Sequence, residues 1–65
     1  MKYIVQVQLP DTLTNIQYKC DNSEMAWRKA HACLATYVRE RCIIDIYRFQ
    51  GQNMKLIAHL ENEEG

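Results

Sequence analysis

The sequence predicts a small α+β domain of order β-β-α-β-β: a four-stranded, mainly antiparallel sheet with one helix packed on one face. Three observations lead there. Residues 1–20 hold two segments in which apolar and polar side chains alternate, and residues 24–40 hold apolar side chains at spacings of three and four. Residues 42–60 hold a β-branched and aromatic run and then an alternating run, joined by a glycine-containing turn. Period two marks a half-buried strand, and period 3.6 marks an amphipathic helix.

In the first strand Tyr3, Val5, Val7 and Leu9 oppose Lys2, Gln6 and Gln8, with Ile4 breaking the pattern. Pro10-Asp11-Thr12 is turn chemistry, because proline presets its own φ and aspartate can bond the backbone ahead of it. The second strand sets Ile16, Tyr18 and Cys20 against Asn15, Gln17 and Lys19. Its wholly polar outer face suits a sheet edge.

Asp21 with Glu24 matches a capping box, and Ser23 is an alternative cap. Ala26, Trp27, Ala30, Cys33, Leu34, Tyr37 and Val38 form the apolar stripe. Arg41 would fall in the middle of that stripe, so the helix should stop near Arg39 or Glu40. Residues 42–49 are rich in β-branched and aromatic side chains and form a third strand. Gln50-Gly51-Gln52-Asn53 turns into a fourth strand over residues 55–60. A spatial order 2-1-3-4 makes every neighbouring pair antiparallel and leaves the polar second strand on an edge.

Sixty-five residues make one domain, placed at 1–61, with 62–65 an acidic, frayed tail. A chain of this size buries only about 60% of its unfolded surface, so help from a partner or a second copy is useful to it. Formal charge is zero, whereas a phosphate-backbone partner favours a positive excess. Residues 1–9 show no secretory pattern, and no run is long enough to span a bilayer. Cys20, Cys33 and Cys42 are an odd set without Cys-x-x-Cys spacing. They read as reduced, buried thiols in a cytoplasmic protein.

Catalytic chemistry has few carriers here. Ser23 is the only serine and sits at the helix cap, and no glycine-rich phosphate loop exists. His31 lies at the stripe's edge, and paired carboxylates share no face. The cysteines are spread from one end of the helix to the other, too far apart to hold one ion. The expectation is no enzyme, no metal, no cofactor and no small-molecule substrate.

The open sheet face says more. If the helix covers Tyr3, Val5, Val7, Ile16, Tyr18, Ile44, Ile46, Leu56, Ala58 and Leu60, the opposite face displays Ile4, Ile43, Tyr47, Phe49 and Ile57. Around them stand Gln6, Gln17, Asp45, His59 and Lys55. Five large apolar residues are too many for a solvated face and point to a contact surface. Coverage by the chain's own tail or loops is the bland alternative. Tyr47 and Phe49 could also stack nucleobases, but they lack basic neighbours. The expected function is a non-catalytic protein-interaction module, an accessory regulator or inhibitor of the kind phages also encode. Its expected partner is a second copy, through the open face or an edge strand, or another protein. The alternative is a nucleic-acid-binding regulator using Arg28, Lys29, Arg39 and Arg41.

Overall fold

The computed structural model describes residues 2–62; the remainder of the acidic tail lies outside them. The strands are β1 (Tyr3–Leu9), β2 (Thr14–Cys20), β3 (Ile43–Gln50) and β4 (Asn53–Glu61), with helix α1 (Ser23–Thr36) between β2 and β3. They form one sheet of order β2-β1-β3-β4, antiparallel throughout. This is the β-β-α-β-β arrangement that the periodicities predict, with the polar strand on an edge.

The core lies between α1 and the sheet. Val5, Val7, Ile44 and Ile46 are fully buried, as are Ala26 and Ala30 on the helix. Small residues at those two helix positions let α1 sit close to the central strands. It packs over β1, β2 and β3.

Three local expectations change. The cap is Asn22, whose Oδ1 accepts the Met25 N–H at 2.8 Å, and not Asp21 or Ser23. Asn22 has extended backbone angles, which aim its side chain at the exposed first-turn amides. The helix ends at Thr36, short of Arg39, and so Val38 is 60% exposed instead of facing the core. Trp27 stands at the margin of the stripe, largely outside the core, with its ring stacked on His31 at a centroid distance of 6.0 Å.

The early end of α1 is set by Asn62. Its side-chain amide donates to the carbonyls of Tyr37 (3.1 Å) and Glu40 (2.7 Å), and its Oδ1 accepts the Cys42 N–H at 2.9 Å. Its own N–H donates to the Cys42 carbonyl at 3.2 Å. Asn62, assigned by composition to the tail, thus fastens the α1–β3 connection to the end of β4.

Both hairpin turns need unusual backbone. Gln50 pairs with Asn53, leaving Gly51-Gln52 as a two-residue loop in which only Gly51 has positive φ (63°). Those signs fit a type II′ turn, which matches the twist of the flanking strands. Between β1 and β2 a short 3-10 turn over Pro10–Thr12 ends on Leu13 at φ 54°, ψ 39°. A left-handed conformation costs a non-glycine residue about 1–2 kcal/mol, and Leu13 is 94% exposed, so little burial offsets it. Leu13→Asn is therefore expected to stabilise the fold by about 0.5–1 kcal/mol, read as a melting temperature higher by a few degrees.

Candidate functional site

Cross-strand register arranges the open face in rows. One row runs Lys19, Ile4, Tyr47 and Leu56 across the four strands, and the next runs Gln17, Gln6, Asp45 and His59. A third runs Asn15, Gln8, Ile43 and Glu61. Beyond the first row Phe49 stands opposite Met54. The face therefore has an apolar end, a polar middle and a mixed far end.

Three of the five residues expected to form the contact surface, Ile4, Tyr47 and Phe49, meet at the apolar end, and Ile57, 40% exposed, is the unpaired residue next to Leu56. Ile43 stands apart. The Asp45–His59 row separates it from them, and it lines an open cleft with Pro10 and Leu13.

Leu56 and Met54 complete the patch, and the strict alternation of β4 hid them. The β3–β4 register slips between Ile46 and Tyr47: Ile46 pairs with Ala58 but Tyr47 pairs with Leu56, leaving Ile57 as an extra residue. A bulge of this kind inverts the side-chain phase beyond it. Leu56, expected under the helix, comes to the open face opposite Tyr47. Lys55, expected on the open rim, pairs with Arg48 on the helix side of the sheet. The adjacent apolar pair Leu56-Ile57 was the one signal in the sequence that could have located the break.

The patch is also poorly covered by its own chain. The β1–β3 ladder ends at Tyr3 and Arg48, with one further bond from the Phe49 N–H to the Lys2 carbonyl at 2.9 Å, so only the turn end of the β3–β4 hairpin extends past β1. Met54 and Leu56 are each about half exposed, and Ile57 is 40% exposed. No described loop folds over them; the segment that follows β4 turns instead toward Tyr37 and Glu40 through Asn62.

The polar middle holds an ion cluster. His59 places Nδ1 2.5 Å from Asp45 Oδ1 and Nε2 3.0 Å from Glu61 Oε2. Ionised carboxylates only accept, so both contacts are satisfied only when the ring carries two protons. The hydrogen bonds to Asp45 and then Glu61 hold the His59 pKa above its ordinary 6.5.

The basic residues considered for nucleic acid do not share one helix face. Arg28 forms an exposed ion pair with Glu24 at 2.9 Å, and the Lys29 ammonium lies 4.6 Å from the centre of the Tyr18 ring. Arg39 and Arg41 come after the helix, in its connection to β3. The three cysteines are free and buried, and burial pushes the thiols of Cys33 and Cys42 up, away from the reactive thiolate. Among the described residues no group of three or more His, Cys, Asp or Glu side chains is placed to share a metal ion, and no helix is long and apolar enough to cross a membrane.

Comparison of the chain with protein-family models, curated proteins and solved structures finds no match. The geometry of the open face is therefore the ground for a functional reading.

Proposed function

We propose that this protein is a non-catalytic interaction module whose open sheet face docks against a second copy of itself. The observation that carries the reading is the cluster of Ile4 on β1 with Tyr47, Phe49, Met54 and Leu56 on the β3–β4 hairpin, on the sheet face opposite α1, with the exposed bulge residue Ile57 beside them. Such a cluster exposes on the order of 400 Å² of apolar surface, a size that marks contact sites on small proteins.

A second copy fits this face for two reasons. The face carries both signs of charge, with Lys19 on the β2 flank and Asp45 and Glu61 on the β3–β4 flank. A two-fold interface uses one patch twice and so favours a surface that complements itself. Zero net charge also leaves no long-range repulsion between copies. Doubling the patch gives on the order of 800 Å² of apolar contact, below the roughly 1,200 Å² of a stable specific interface and in the range of weak, transient encounters. The dimer should therefore be weak and reversible.

Face contact is favoured over edge contact. The bulge at Ile57 and the charge of Lys55 interrupt the free edge of β4, two devices that discourage edge-to-edge pairing. Within this proposal the protein acts as an accessory regulator by covering or releasing this face. The buried reduced thiols fit a cytoplasmic setting.

Tyr47→Ala with Phe49→Ala is expected to weaken association by more than about 2 kcal/mol, roughly 30-fold, as aromatic anchors at a patch centre do. Sedimentation equilibrium across a concentration series reads the effect, with circular dichroism checking the fold. Met54→Gln with Leu56→Gln alters the more exposed pair at less risk to the sheet and should act in the same direction. A wild-type chain that stays monomeric at high concentration, or variants with unchanged association, would overturn the reading.

A further inference from the structure

The polar middle row adjoins the docking patch, and its charge depends on one proton. With His59 as an imidazolium, the His59, Asp45 and Glu61 side chains sum to one negative charge; without that proton they sum to two. The side chain of Asp45 is only 16% exposed, and those of His59 and Glu61 are about half exposed, so a partner on this face would remove much of their remaining water. Taking two uncompensated carboxylates out of water costs far more than taking out one carboxylate and an ion pair.

We propose that the charge state of His59 governs whether the open face can be covered. The imidazolium permits association, and loss of its proton opposes it. This inference rests on the docking reading and adds its regulation. When the ring gives one proton to water, one carboxylate meets a nitrogen lone pair instead of an N–H, and the cluster that ties β4 to β3 loosens beside the patch. The groups facing His59 are Asp45 from β3 and Glu61 from β4 itself. In the same row β1 and β2 supply Gln6 and Gln17, which are uncharged, and α1 lies on the other side of the sheet.

The direction follows from linkage. Covering the face makes the charged ring more favourable, so dimerisation takes up protons, and association strengthens at low pH and weakens as pH rises through the titration of His59. Each dimer carries two such rings, so the dimer is expected to weaken about tenfold across that range.

The test combines imidazole titration by NMR with sedimentation equilibrium from about pH 5.5 to 9, on wild type and on His59→Gln. The expected result is a His59 titration above the ordinary 6.5, a dimer constant falling about tenfold over the same interval, and a flat profile for His59→Gln. Asp45→Asn, which removes the closer carboxylate, should lower the His59 titration and flatten the profile in the same way. Association that is present but independent of pH would overturn this inference and leave the docking reading standing. A His59 that titrates at or below the ordinary histidine value would also overturn it. A chain monomeric at every pH would sink both.

Discussion

Asn62→Ala is expected to cost about 2–3 kcal/mol, a large share of the stability open to a domain this small. The side chain spends its three polar contacts on the carbonyls of Tyr37 and Glu40 and the amide of Cys42, all at the join between α1 and β3. Truncation removes the side-chain partner of the Glu40 carbonyl and the Cys42 N–H and leaves the Tyr37 carbonyl only the Glu40 N–H at 3.3 Å; stripping part-buried groups in this way costs more than the net value of the bonds themselves. Asn62→Asp separates this from a volume effect. The carboxylate still accepts the Cys42 N–H, yet it cannot donate and sets a negative charge against two carbonyl oxygens. It should be no more stable than the alanine variant. Urea denaturation of the three proteins reads the difference, and an aspartate variant as stable as wild type would refute the assigned donors.

Ile46→Ala should be more damaging still, by about 2–5 kcal/mol, leaving much of the chain unfolded at room temperature. Ile46 is fully buried on the central strand β3, flanked across the ladder by Val5 and Ala58. Neither neighbour is large enough to fill the space its side chain would vacate. The small residues Ala26 and Ala30 on α1 add no bulk that could move in. Ile46→Val, which removes a single methylene, is expected to cost about 0.5–1.5 kcal/mol and remain folded. Thermal melts of the two variants should differ widely, and a cooperative, near-native melt for Ile46→Ala would show that the core relaxes around the loss.

These two positions differ in how visible they are in the sequence. Ile46 sits in an apolar run whose neighbours alternate, and its burial was expected. Asn62 lies among Glu61, Glu63 and Glu64, where composition reads as a solvated end. Its partners are 20 to 25 residues away, and no local pattern encodes them. The same contrast runs through the docking face. Ile4, Tyr47 and Phe49 lie on the open face as expected because the β1–β3 ladder runs without a bulge, so side-chain phase can be counted along each strand even where apolar Ile4 breaks the polarity pattern. Leu56 was placed on the wrong side because a one-residue bulge is a property of two paired strands, not of either one. The His59 cluster was equally hidden. Asp45 and His59 are 14 residues apart and meet only through the β3–β4 register.

Local periodicity by itself determined the five elements, the antiparallel order that a single helix can cover, and the buried set on β1 and the first half of β3. Burial of one face enforces those features wherever the chain folds, so alternation alone suffices to write them. The tertiary structure alone decided where α1 stops, which side of the sheet Leu56 and Lys55 occupy, and that His59 lies between two carboxylates. Each of those depends on hydrogen bonds between segments distant in the chain, whose energies no single stretch of sequence carries.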